Sequence, residues 1–324
     1  QVTRSRDWLR QQQVSRHLLW LMPLLFLAVF FCLPLGKILM IMITREGSIS
    51  IPSILSPLKF TLWQAVLSTL LTFVVGIPAA YLFSHYRFPG RGALRLMVTL
   101  PFILPTVVVA AGFNALLGAR GWLNLLLINV FGFAAPPIIV TNSLGAILVA
   151  HVFYNTSIFI RVVGAAWSEL DVEMNEAGAV LGAPPVKGLF KVTLPLLKPS
   201  LLAAGLLVFL FDFTSFGVIL LLGGPAFSTL ETEIYTQTLS MLNLRMAGIL
   251  SLLQLACTLV VTVLYTRVNS RRSPALKPGK GIVPKRPVGN AQIAFVSIFA
   301  ILMLLFFFSP IASLVIRSLL TYDA

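Results

Sequence analysis

Asp212 stands in the middle of an apolar run, LVFLFDFTSFGVILLLGGP, and has the clearest chemical claim of any side chain in the sequence. Thr214, Ser215 and Gly217 follow it, so the acid has small and polar company. Placing a charge at that depth in hydrocarbon costs about 3 kcal/mol on insertion scales, and an intramembrane acid is by default functional. Two readings fit. The carboxylate lines a wet path and attracts a cationic solute, or it hydrogen-bonds to another helix. His151 lies in a second apolar run beside Tyr154 and Asn155, and either lines the same path or bonds to a neighbour. The other histidines, His17 and His85, make no i, i+4 ligand pair with it, so the spacing predicts no metal site. An intramembrane enzyme would need a second catalytic acid, and the apolar runs offer none. A phosphate loop needs Gly-x-x-x-x-Gly-Lys-Ser/Thr, and Gly182 to Gly188 lacks that order. The sequence therefore predicts no cofactor and no nucleotide site.

The elements that must position these residues are membrane spans. Of the 324 residues, 58% are hydrophobic and 10% charged, and the mean hydropathy is +0.94. Soluble domains carry about 25% charged residues. Seven runs are long enough to cross a bilayer: 18–43, 60–84, 94–117, 138–163, 199–222, 244–266 and 291–317. The basic balance, 24 Lys and Arg against 10 Asp and Glu, sits in short segments between these runs. It reads as an orientation signal in the bilayer, with no nucleic-acid partner. With the N-terminus in the cytoplasm, eighteen of the 24 fall on the inner side, and that bias predicts the orientation. Cys32 and Cys257 lie inside apolar runs, so no disulfide is expected.

The segment between the fourth and fifth runs then falls in the cytoplasm. It holds Glu169, Asp171, Glu173 and Glu176, four of the ten acids. Ser168 is placed to cap a short helix with Asp171 at the capping-box position. Ala177, Ala179, Val180 and Leu181 let that helix lie close to another surface, and Gly182 ends it. Pro184 and Pro185 turn the chain. Val186, Leu189, Phe190, Val192 and Leu194 form a second amphipathic piece, after which Pro195 and Pro199 redirect the chain into the membrane.

Glu176, Ala177, Gly182, Val192, Leu194 and Pro195 fall on the spacing Glu-Ala-Ala, three residues, Gly, nine residues, aliphatic, one residue, Leu-Pro. This resembles the cytoplasmic EAA loop in the membrane subunits of ABC importers; Gly178 departs from it, standing where Ala is usual. The resemblance implies an all-α, polytopic transmembrane bundle, a type I importer permease with a cytoplasmic coupling helix, in the bacterial inner membrane. It implies docking on a dimer of ATP-binding subunits, with Glu176 meeting a basic residue and Ala177, Gly178, Leu181, Gly182 and Ala183 forming the contact. Leu194 and Pro195 close the motif. The stretch Gly223-Gly224-Pro225 through Tyr235 is similar to thiamine and ferric-iron permeases, with Glu231 and Glu233 either meeting an extracytoplasmic solute-binding protein or lying in a solvated loop.

The expected organisation is a cytoplasmic segment over 1–17 and a six-helix unit over 18–267, with its coupling loop at 164–198. A flexible basic linker over 268–290 and a further helix over 291–324 follow. Phe31 to Leu39 aligns with Phe307 to Val315, Pro34 on Pro310. Either two greasy helices agree by chance, or a second permease unit begins near Asn290, as in tandem ferric-iron and thiamine permeases; otherwise the second half comes from a dimer partner. The expected path is lined by Asp212, Thr214, Ser215, His151 and Asn155. By resemblance the solute is ferric iron, then thiamine, then polyamine. The alternative is an ion-coupled secondary transporter using Asp212.

Overall fold

The computed structural model describes residues 20–170, 188–270 and 281–320, and these contain helices and no strand. Seven of the helical runs among them are long and apolar enough to cross a membrane. The first, α1, spans Trp20–Thr44 and contains a π turn at Ala28–Cys32. The second, α2, spans Ile51–His85 and tolerates Pro57 and Pro78 inside it. The Thr61 hydroxyl bonds to the Pro57 carbonyl at 2.7 Å, so the fourth residue on from that proline binds its carbonyl through a side chain.

Helix α3, Arg91–Thr99, is a separate amphipathic piece. Gly90 opens it at φ 79°, a conformation that favours glycine. Leu94 and Val98 are buried one turn apart, while Arg95 and Leu96 are exposed. Pro101 and Pro105 then detach it from α4, Thr106–Leu117. The third crossing is therefore Thr106–Phe131, not 94–117, because two prolines interrupt what hydropathy reads as continuous. Helix α5, Trp122–Phe131, completes it after a break at Gly118–Gly121. Asn124 staples that break: its amide donates to Gly118 O at 2.8 Å and to Ile138 O, and its Oδ1 accepts from Ile138 N at 3.0 Å.

Helix α6, Leu144–Ser168, is the most enclosed crossing, capped by Ser143 Oγ accepting from Ala146 N. Ser168 closes this helix, with its hydroxyl on Gly164 O at 2.8 Å, and the helix it is expected to cap lies outside the described residues. Helix α7 runs over Leu189–Phe213 and starts with a π turn at Leu189–Thr193. Two expectations change here. Leu189 to Leu194 continues into the crossing instead of forming a separate piece, and Pro195 and Pro199 lie in its early turns instead of at a bend. A π turn at Ile219–Gly223 and α8, Leu230–Tyr235, lead to α9, Leu244–Ser270, and α10, Asn290–Leu320.

The chain divides into two compact units. Gln1–Ser53 with Glu233–Leu253 forms one, in which Asn243 Nδ2 donates to Ser48 O at 3.0 Å and Gly248 lies against Ile38 and Met42. Ile54–Thr232 with Gln254–Ala324 forms the other. In its main core Phe153 of α6 stacks on Phe307 of α10 and meets Phe113 of α4 edge to face, each ring pair 5.3 Å apart. A side chain at Gly112 would meet Pro310 O at 2.8 Å, so this glycine is what lets α4 and α10 touch. A smaller core joins Phe159, Val163, Trp167 and Leu170 to Leu197 and Ala204.

The described part of the linker is a strap. Ile282 N donates to Ser168 O, Lys285 N to His85 O, and Arg87 N to Lys285 O, each at 2.9 Å. Its residues 281–289 are thus held along the ends of α2 and α6, whereas composition alone suggested free chain.

Candidate functional site

Four segments of the larger unit meet around Asp212. Helix α2 turns one face inward with Gln64, Ser68 and Thr72, all fully buried. Helix α6 supplies His151 and Asn155, four residues apart and so on one side. Helix α7 ends at Phe213, and the chain breaks over Thr214–Phe216 before turning again. Non-helical backbone at membrane depth is tolerated only inside protein or around water. Here the Asp212 carbonyl accepts Gln64 Nε2 at 2.8 Å beside the longer bond from Ser215 N at 3.4 Å, so a side chain of α2 reinforces the end of α7. The fifth crossing is therefore Leu189–Phe213, not 199–222.

Asp212 Oδ1 accepts Asn155 Nδ2 at 2.6 Å and faces His151 Nδ1 at 3.3 Å. His151 Nδ1 also lies 3.0 Å from Ser68 Oγ, and its Nε2 lies 2.9 Å from Ser215 Oγ. With the proton on Nδ1 the ring donates toward Asp212 and Ser68 and accepts the Ser215 hydroxyl; the other tautomer reverses the Ser215 bond. Asp212 is 1% exposed, His151 2% and Asn155 3%. Asp212 Oδ2 and Gln64 Oε1 are buried with no hydrogen-bond partner among the described residues.

The cluster is a polar clamp across three crossings, located at a helix break. Among the sequence-expected path residues, Asp212, His151 and Asn155 meet in its interior. Thr214 and Ser215 are half-buried at the break itself. Among the described residues no three His, Cys, Asp or Glu side chains gather as metal ligands. Gln64 and Ser68 escape the sequence reading, although polar and small residues at Thr61, Ala65, Ser68, Thr72 and Gly76 mark one face of an otherwise apolar helix.

The coupling residues Glu176, Ala177, Gly178, Leu181, Gly182 and Ala183 lie outside the described residues. Leu194 and Pro195 open the regular α part of α7, half-buried and exposed respectively. Both flanks of the loop are anchored in the smaller core through Trp167, Leu170 and Leu197.

Glu231 and Glu233 lie on α8. Glu233 Oε1 accepts Gln237 Nε2 at 2.8 Å. Glu231 is half-buried and accepts Gln254 Nε2 at 3.1 Å. Burial pushes the Glu231 carboxyl up to about 7, and the Gln254 hydrogen bond opposes that rise. A carboxyl raised on folding binds its proton more tightly in the native state. Its contribution to stability is complete below the ordinary 4.5 and is lost as pH rises through about 7. Thermal unfolding of the wild type between pH 5 and 8 will therefore show a loss that Glu231→Gln flattens. Equal slopes for the two proteins would contradict this account.

Comparison with known proteins adds a family. Residues 72–274 match the family model described as "Binding-protein-dependent transport system inner membrane component". PhnU of Salmonella paratyphi A, named for a 2-aminoethylphosphonate transport system, is 27% identical over 81% of this chain and 95% of its own length. The thiamine transport system permease ThiP of Haemophilus influenzae is 31% identical over 80% of this chain. That match takes in 48% of ThiP, so the chain spans about half of that relative. A chain of a bacterial alginate ABC transporter crystallised with its periplasmic protein shares the fold at TM-score 0.64 and 21% identity, over 82% of this chain and 96% of that one.

Proposed function

The chain belongs to the family of binding-protein-dependent transport system inner membrane components, and from that premise we propose how it works. It is a multi-pass permease subunit of an ABC importer and not itself an enzyme. A separate ATPase pair drives it, and an extracytoplasmic binding protein delivers the solute. The N-terminus faces the cytoplasm, as the Lys and Arg bias supports. That orientation puts Glu176 to Ala183 on the side where ATP is. Closure of the ATPases moves the coupling segment, and the crossings rock between two states biased by differential binding. Thr214 and Ser215 line the path at the break in the fifth crossing, while Asp212, His151 and Asn155 brace it from behind. Glu231 and Glu233 lie on the binding-protein side. Helix α10 corresponds to α1 as the opening helix of a second permease unit, a reading carried by the Phe31–Leu39 and Phe307–Val315 likeness.

The solute is a small organic molecule with a cationic nitrogen, thiamine or 2-aminoethylphosphonate. The observation that carries this is the shared chemistry of the ThiP and PhnU solutes. Ferric iron, expected first from sequence, has no counterpart among the relatives named above. The test is uptake of each compound into proteoliposomes holding the permease, its ATPase and its binding protein. Uptake should require ATP inside and the binding protein outside. Uptake that continues under an ion gradient after ATP depletion would instead establish a secondary transporter.

A further inference from the structure

Two basic segments almost two hundred residues apart are held together at one end of the larger unit. Arg87 follows the last turn of α2, and the strap carries Lys285 and Arg286. Tyr86 and Lys285 pair in parallel, with Lys285 N on His85 O and Arg87 N on Lys285 O. Backbone bonds therefore hold Arg87 and Lys285 adjacent despite their like charge. Arg91 and Arg95 follow on one side of α3. Arg91 Nη2 is fixed on Phe83 O at 2.7 Å. Burial first, then the charges of Arg95 and Arg87, lower the pKa of Arg91 from its ordinary value, so the three arginines feel one another. The first turn of α3 contains no acid, and cations at a helix N-terminus oppose its dipole. Among the described residues none of these five cations is in an ion pair.

We propose that Arg87, Arg91, Arg95, Lys285 and Arg286 form a binding site for the phosphate headgroup of an anionic lipid. The inference uses the bilayer reading above only to place the site at the inner leaflet. Its height is that of headgroups: it sits where α2 ends and just before α10 begins at Asn290. The exposed Leu96 of α3 is placed for acyl contact beside Arg95, as on an interfacial amphipathic helix. Helices α2, α6 and α10 also line an apolar groove of about 430 Å³, with Val74, Val149, Phe299 and Phe306 in its walls. Phe299 is nine residues past Asn290, about 13 Å along the helix at 1.5 Å per residue, so a tail bound at the headgroup site can reach the groove. A free phosphate would leave that groove unused, which favours the lipid.

The test is native mass spectrometry of the assembled transporter released from nanodiscs of phosphatidylglycerol mixed with phosphatidylcholine. The wild type should retain phosphatidylglycerol selectively. Each cation removed should weaken retention about fivefold, the effect of one Lys or Arg near an anionic surface. The variants are Arg87→Gln, Arg95→Gln and Lys285→Gln, singly and together, with unfolding temperatures measured alongside. Equal retention of phosphatidylcholine, unchanged retention in the triple variant, or displacement of the lipid by millimolar inorganic phosphate would each overturn the proposal. None of these outcomes bears on ATP-dependent uptake, so failure here and failure of the transport reading are separable.

Discussion

Changing Glu176 to Lys together with Gly182 to Pro will reduce ATP-driven uptake by roughly tenfold or more, the range produced by losing about 1–3 kcal/mol of coupling. On the coupling reading proposed above, the first substitution reverses the charge offered to a basic residue on the motor subunit. The second puts proline where the proposed coupling helix is expected to end at glycine, and proline restricts both its own φ and the residue before it. The damage should stay local, because Trp167, Leu170 and Leu197 pin the flanks of the loop in a core of their own. Unfolding temperature and subunit yield should hold while uptake and transport-stimulated ATP hydrolysis fall. Unchanged uptake in the double variant would remove the coupling assignment.

The second large effect is on assembly. Asp212→Ala takes the acceptor from Asn155 and the facing acid from His151 inside the bundle. Each buried polar group left without its partner costs about 1–3 kcal/mol, and two are left here. Asp212→Asn keeps an acceptor for Asn155 and should cost about 1 kcal/mol, the worth of an ordinary hydrogen bond. The clamp reading therefore expects low yield and early unfolding for the alanine variant. The asparagine variant should fold, with uptake within about threefold of wild type, a change below 1 kcal/mol. A well-folded Asp212→Asn protein that no longer transports would show instead that the charge itself acts on the solute.

Hydropathy alone makes the seven crossings legible, and the charge bias predicts their direction. It misplaces the edges where backbone chemistry outweighs apolar content. Leu94 to Leu104 is greasy enough to join a crossing, yet Pro101 and Pro105 leave α3 outside it. Residues 214–222 are apolar on average, but the chain breaks beside Asp212, where Gln64 adds a side-chain bond to the backbone carbonyl. Asp212 was conspicuous because an acid in hydrocarbon is costly. Its partners were less so, since Ser68 and His151 are 83 residues apart and their meeting depends on helix packing. Prolines and glycines make the strap look loose in sequence, because backbone pairing with His85 and Arg87 leaves no mark on composition.

The π turn at Leu189–Thr193 lies inside the fifth crossing. A π turn holds one residue more than the α-helix around it. The surplus is taken up in one wide turn, so the helix beyond it keeps its phase. Deleting one residue there should restore regular winding and leave Leu197 facing the smaller core, whereas the same deletion in a regular turn would swing the chain by about 100° around the axis. Chain length can thus vary by one at this point without turning the packed face of the crossing.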